Sequence, residues 1–118
     1  MSEHHFFYLG LCFILMHEMD AIRCREWSIF PGLSLLNDKL GFQLFMFLHI
    51  PLFFGVFAML LSSSKDTFIF GMNLFFILHM LAHLLALKHP QNQFKDWVSW
   101  SIIVSAAICG GLDVAIYG

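Results

Sequence analysis

The chain has 118 residues, of which 59% are hydrophobic and 12% charged, and its formal net charge is -2 at pH 7. A soluble domain of this length has too much surface for so apolar a composition, and the absence of a basic tract argues against a nucleic-acid partner. Runs of about 18 to 22 residues with few charges instead predict an integral membrane protein in contact with membrane lipids.

Four apolar segments follow one another in what we predict to be a single domain, residues 1–118. Written as helices, segments 6–22, 40–61, 67–87 and 97–117 are each about 25 to 33 Å long, close to the thickness of the hydrocarbon core. Short turns place consecutive helices side by side in opposite directions. The predicted fold is therefore an all-α, up-down-up-down four-helix transmembrane bundle.

The first segment is interpreted as a mature helix and not as a signal peptide. Residues 1–5 carry no Lys or Arg, and no small-residue cleavage site follows the apolar run. His4 and His5 lie at this terminus, where we expect disorder or a position at the membrane interface.

Helix 1 ends in a charged stretch, residues 17–27, which is unusual in so apolar a chain. His17 and Asp20 are three residues apart and share a face, whereas Glu18 is turned from His17 by about 100°. Ionisable groups at this depth are costly and normally face the bundle interior or a cavity. We predict His17 as a metal ligand, Glu18 as catalytic acid or base, and Asp20 as a catalytic residue that either binds the metal or supports a residue that does. Asp20 pairs either with His17 or with Arg23, and the second pairing would make it part of an interfacial charge network.

The basic residues predict the orientation of the bundle. Five of the six Lys and Arg lie on the side of the loops after helices 1 and 3: Arg23, Arg25, Lys39, Lys88 and Lys95. By the positive-inside rule both termini lie outside the cytoplasm, with the bacterial inner membrane as the expected location. Arg23 and Arg25 are predicted to bind substrate by attracting a phosphate or another anionic headgroup.

Helices 2 and 3 bring three more histidines to the level of His17. His79 and His83 are four residues apart, the spacing that places two imidazoles on one helical face in metal-binding helices. His49 precedes Pro51, whose kink either aims His49 inward or leaves it to satisfy freed backbone groups. We estimate depths of roughly 8 to 13 Å for all four from the helical rise. They are the predicted metal ligands, although His79 and His83 could simply be hydrogen-bonded within the bundle.

Helix 4 carries two carboxylates at its ends. Asp96 is predicted to cap the amino end of the helix. Asp113 lies near the external end, far from the histidines, and we place it outside the site as a cap or a contact.

The pattern H-E-x-D-A-x-R-x-R-E-W closing helix 1, together with His49 before Pro51, resembles small bacterial four-helix membrane proteins classed as domains of unknown function. The pattern is also loosely similar to small membrane proteins named for an HxxEE motif, where Asp20-Ala21 stands in place of the two glutamates. The first resemblance covers helices 1 and 2 with their loop, and it implies no particular activity.

Several functions remain compatible with these residues. Three imidazoles and a carboxylate predict zinc and hydrolysis, whereas two histidines and a carboxylate equally suit iron and oxidation. A site near the headgroups favours a lipid or amphipathic substrate. One alternative is a non-enzymatic subunit or adaptor whose polar cluster fixes packing with a membrane protein partner or in a homo-oligomer. Another is a b-type haem between His49 and His79, or a proton or ion path.

Overall fold

The computed structural model of the protein describes residues 3–118, so that Met1 and Ser2 lie outside the described residues. Within residues 3–118 four α-helices follow in order: α1 (His5–Arg23), α2 (Asp38–Leu60), α3 (Lys65–Ala86) and α4 (Trp97–Tyr117). Two short 3₁₀ turns, Glu26–Ser28 and Leu33–Leu35, connect α1 to α2. This part of the chain contains no β-strand, so the prediction of an all-α fold with four helices is confirmed.

All four of these helices are long and apolar enough to cross a membrane. Their 19, 23, 22 and 21 residues correspond to about 28 to 35 Å of helix, against a hydrocarbon core of about 30 Å. The most exposed is α2, on which only Gly41 and Phe45 are buried and Phe54 is 73% exposed. Such an apolar outer surface is what contact with lipid chains requires.

Side-chain contacts define the directions of the helices. The Asp20 carboxylate near the end of α1 accepts a hydrogen bond from Ser99 near the start of α4, and the Phe7 N–H donates to Asp113 at 3.1 Å. Asn73 of α3 donates to the same Asp113 at 2.7 Å, so α1 and α3 both run antiparallel to α4. The carboxyl-terminal halves of α1 and α3 therefore reach the same end of the bundle.

The chain reverses sharply after α1. Arg25 has φ 51°, in the left-handed region, and this turn brings Glu26 back towards the helices. The buried Trp27 then anchors the loop, because its Nε1 donates to Asp38 at 2.9 Å. Gly41 allows the start of α2 to pack closely against Trp27, since a Cβ at this position would lie 3.0 Å from the Trp27 ring.

Local capping explains where two of the helices begin. Asn37 caps α2, and Asp96 caps α4 by accepting a hydrogen bond from the Ser99 N–H at 2.9 Å, as predicted. The same bond holds the pKa of the Asp96 carboxyl below its ordinary value. At the start of α3 the Ser64 side chain makes no capping bond.

The contact between α3 and α4 depends on Gly110. A Cβ on this residue would lie 2.8 Å from the backbone oxygen of Asn73, closer than real Cβ atoms come. At the neighbouring Gly111, a Cβ would meet no atom within 4 Å. The close packing of α3 against α4 therefore requires a glycine at position 110 but not at position 111.

We expect Gly110→Ala to lower the free energy of unfolding by about 1–3 kcal/mol, because the backbone of α3 must move to relieve the clash. Gly111→Ala is the matched control. Because alanine has a higher helix propensity than glycine, this substitution should leave the stability unchanged or raise it by up to about 1 kcal/mol. Denaturation in detergent, followed by tryptophan fluorescence, measures both. Equal effects of the two substitutions would contradict this account of the α3–α4 contact.

Candidate metal centre

Three imidazoles and one carboxylate meet where α1, α3 and the first 3₁₀ turn come together. One potential ligand atom from each of His17, Glu26, His79 and His83 lies within 4.8 Å of the other three. The His17 Nε2 is 3.1 Å from the His79 Nε2 and 3.1 Å from the Glu26 Oε2, and the His83 Nε2 is 3.5 Å from the same oxygen. Ligands bonded to zinc at about 2.0–2.1 Å in a tetrahedron lie about 3.3 Å apart. These three separations are close to that value, and the remaining ones are at most 4.8 Å.

The surrounding helices hold the rings in place. His17 is 1% exposed on α1, and the four-residue spacing of His79 and His83 places both on the face of α3 that meets it. Phe94, in the loop before α4, is completely buried, with its ring centroid 5.4 Å from that of His17 and 4.5 Å from that of His83. The cluster is therefore packed between aromatic and helical surfaces.

Glu26 supplies the negative charge of the cluster. Burial of its carboxyl acts to raise the pKa, but the hydrogen bonds and charges of His17 and His83 oppose this and lower the pKa to about 2. Glu26 is consequently ionised at neutral pH, the form in which a carboxylate binds a metal.

Each of the three rings also carries a buried Nδ1 atom that has no hydrogen-bond partner among residues 3–118: those of His17, His79 and His83. Leaving a buried polar atom unpaired costs about 1–3 kcal/mol. In structural metal sites this nitrogen usually has a partner, which this cluster lacks. The unpaired Nδ1 atoms therefore lower the stability of the fold. Groups that are kept at such a cost indicate a functional role for the converging Nε2 atoms.

A cavity of about 670 Å³ opens beside the cluster. Its wall is mostly apolar and is formed by α2, α3 and the loop between α1 and α2, with contributions from Phe30, Leu33, Leu48, Leu52, Phe75 and Leu78. Five ionisable side chains also line it: Glu18, Glu26, His49, His79 and His83. An apolar space with a few polar groups at one place is the usual form of a small-molecule site.

Glu18 and His49 form a separate pair on this wall. The His49 Nε2 makes a short contact with the Glu18 carboxylate, and its Nδ1 donates to the Phe45 carbonyl at 2.6 Å. His49, predicted as a metal ligand, is thus placed on α2 against Glu18 and outside the group of four ligand atoms.

Comparison with known proteins places the chain in a family. A model described as a family of unknown function, DUF6713, matches residues 3–117. The chain belongs to this family. The resemblance to a domain of unknown function is thereby confirmed and extends over nearly the whole sequence. No curated protein and no solved structure matches the chain.

In this DUF6713 chain the remaining predicted site residues lie away from the cluster. Asp20 accepts one hydrogen bond from Arg23, at 2.7 Å, and another from Ser99. The bond from Ser99 joins α1 to α4. Arg23 also reaches Asp96 at 3.2 Å. These contacts place Asp20 in a charge network at the end of the bundle, one of the two pairings that the sequence leaves open.

Arg25 likewise has a carboxylate partner, Asp38, at the start of α2. Neither Arg23 nor Arg25 lines the cavity, so the structure places the two predicted substrate-binding residues at the rim of the bundle. The role of binding an anionic headgroup stays a prediction for both.

A second polar cluster occupies the opposite end of the DUF6713 bundle. The His4 Nδ1 lies 2.9 Å from Asp113 and its Nε2 lies 3.2 Å from Asp66, while Asn73 also donates to Asp113. His4 is only 5% exposed, so the expectation of disorder is wrong for this residue, whereas a position at the membrane interface stays a prediction. This cluster fastens the start of α1 to α3 and α4.

Proposed function

We infer that this protein is an integral membrane protein in which His17, Glu26, His79 and His83 bind a zinc or iron ion. The observation that carries this proposal is the convergence of four ligand atoms within 4.8 Å of one another, in helices apolar enough to lie in a membrane. Imidazole and carboxylate ligands suit both metals. Zinc would support hydrolysis, whereas iron would support oxidation.

The proposed substrate is a lipid or another amphipathic molecule. The cavity beside the cluster is mainly apolar, and its ionisable groups include three of the four proposed ligands: Glu26, His79 and His83. An acyl chain can lie against the apolar wall while the polar group of the same molecule reaches the ion. This arrangement supports a lipid-directed, metal-dependent enzyme.

The proposed membrane orientation has both termini outside the cytoplasm. Arg23 and Arg25 contact Asp96 and Asp38 at the cluster end of the bundle, and the positive-inside rule assigns basic ends to the cytoplasmic side. In this orientation the metal centre lies near the cytoplasmic leaflet of the expected bacterial inner membrane.

Elemental analysis of detergent-purified protein tests the proposal. We expect at least one zinc or iron ion per wild-type chain and none in the His79→Ala/His83→Ala variant. Incubation of the metal-loaded protein with membrane lipid extracts, followed by mass spectrometry, should reveal a product that the variant does not form. Metal-free wild type with an intact fold would overturn the proposal in favour of an adaptor, and a Soret band would instead indicate haem.

A further inference from the structure

A second cavity, of about 330 Å³, lies at the end of the bundle away from the metal centre. Polar and apolar side chains from the residue before α1, from α3 and from α4 form its wall, among them His4, Asp66, Phe70, Asn73, Asp113 and Tyr117. A space of this size is large enough for a small molecule or for the polar group of a larger one.

Asn73 brings to this cavity a hydrogen-bond acceptor that no other residue uses. A carboxylate can only accept hydrogen bonds, so the 2.7 Å contact with Asp113 places the amide nitrogen of Asn73 there. The remaining atom of the amide, Oδ1, is buried and has no hydrogen-bond partner among residues 3–118. Buried polar atoms are nearly always paired, so this oxygen indicates a donor that comes from outside the chain.

The cavity carries a negative charge. Asp66 and Asp113 contribute two carboxylates, and no Lys or Arg among the described residues lines the wall. The two ring nitrogens of His4 lie 2.9 Å from Asp113 and 3.2 Å from Asp66, so a proton on both nitrogens balances only one of the two negative charges. A cleft that keeps a charge of one sign attracts molecules of the opposite sign, which indicates a cation.

The arrangement of the acceptors favours an ammonium group over a metal ion. Metal ligands converge on one point, and His17, Glu26, His79 and His83 form the only set of three or more His, Cys, Asp or Glu among residues 3–118 whose ligand atoms lie within 4.8 Å of one another. An ammonium group instead has three N–H donors that point in different directions. The ring of Tyr117, 5.0 Å from that of His4, adds an aromatic surface of the kind that attracts organic cations.

We propose that this cavity binds a primary ammonium group, carried either by a free amine or by the headgroup of a membrane lipid. The N–H groups donate to the Oδ1 of Asn73 and to the Asp66 carboxylate, which is 74% exposed and accessible to an entering molecule. The site shares no residue with the metal centre, so the proposal does not depend on the proposed function.

Titration calorimetry of the protein in detergent, with ethanolamine and with choline, tests the chemistry of the site. Both molecules carry one positive charge, but the nitrogen of choline is fully methylated and has no N–H donor. We expect ethanolamine to bind at least about tenfold more tightly, because only ethanolamine gives the buried oxygen of Asn73 a charged donor. An equal affinity for the two molecules would contradict the proposal.

Two variants test the residues of the site. Asn73→Leu removes the acceptor and should abolish the preference for ethanolamine over choline. Asp66→Asn removes the exposed charge and should weaken the binding of both molecules by up to about fivefold, and it tests the site even where Asn73→Leu does not fold. Asp96→Asn, which removes an exposed carboxylate at the opposite end, is the matched control and should bind both as the wild type does. Wild-type affinities in Asn73→Leu and in Asp66→Asn would overturn the assignment.

The source of the ammonium group is tested with phosphatidylethanolamine and phosphatidylcholine. Native mass spectrometry of the protein, released from micelles that hold equal amounts of the two lipids, shows which lipid stays bound. Retention of phosphatidylethanolamine by the wild type, and its loss in Asp66→Asn, would identify a lipid headgroup. A preference that is confined to ethanolamine over choline would identify a free amine. If neither ethanolamine nor phosphatidylethanolamine is preferred over its choline counterpart, the proposal is wrong.

Discussion

Glu26→Gln should weaken the affinity of the protein for zinc at least about 100-fold, since even loss of a group that supports a ligand costs 10–100-fold. The amide keeps the shape of the side chain but removes the anionic ligand that lies 3.1 Å from His17 and 3.5 Å from His83. Competition against a chelator of known affinity measures the change. The substitution is informative because Glu26 lies in the 3₁₀ turn after α1 and not in one of the four α-helices.

The control for this prediction is Asp96→Asn. Asp96 is a carboxylate at the same end of the bundle, and asparagine caps helices as well as aspartate does. We therefore expect the zinc affinity of this variant to equal that of the wild type. If Glu26→Gln and Asp96→Asn bind zinc equally well, Glu26 is not a ligand. The centre would then consist of the histidines alone.

Asp113→Ala should lower the free energy of unfolding by about 3 kcal/mol, because each buried polar group left without its hydrogen-bond partner costs about 1–3 kcal/mol. Asp113 is 1% exposed and accepts hydrogen bonds from the Phe7 N–H and from Asn73, besides its contact with His4. Alanine leaves these buried groups without an acceptor. Equilibrium unfolding in detergent micelles, followed by tryptophan fluorescence, measures the loss.

Asp66→Ala tests whether an exposed carboxylate of the same cluster contributes as much stability as the buried carboxylate of Asp113. Asp66 also contacts His4, at 3.2 Å, but its side chain is 74% exposed. An exposed ion pair contributes about 0–1 kcal/mol, so this variant should be nearly as stable as the wild type. A loss of stability as large as that of Asp113→Ala would mean that the contact between His4 and Asp66, and not the buried hydrogen bonding of Asp113, holds this end together. Zinc affinity should stay unchanged in both variants, because His4 and His17 are about 20 Å apart along α1.

The helices and their order were predictable because their causes are local. A run of apolar residues of membrane-spanning length predicts a helix wherever it occurs, and Asp96 at the start of such a run caps it without help from distant residues. The predicted segments begin and end within two residues of the helices α1 to α4. The spacing of His79 and His83 is local in the same sense, since 3.6 residues per turn place both on one face.

The composition of the site was only partly predictable. Depth along a helix follows from counting residues, which correctly indicated that His17, His79 and His83 lie at one level of the bundle. The rotation of each helix about its axis is set by packing against its neighbours, and no count of residues supplies it. His49 illustrates this, because its estimated depth matches that of the others while α2 turns it towards Glu18.

The sequence by itself determined the membrane-compatible all-α fold, the order of four helices and the pairing of His79 with His83, because hydrophobicity and helical periodicity act over short stretches. Only the tertiary structure decided that Glu26 completes the cluster. Beyond Arg23 the helical period no longer applies, and the left-handed turn at Arg25 redirects the chain. The position of Glu26 therefore depends on contacts between residues distant in sequence, such as that of Trp27 with Asp38 and that of Glu26 itself with His83.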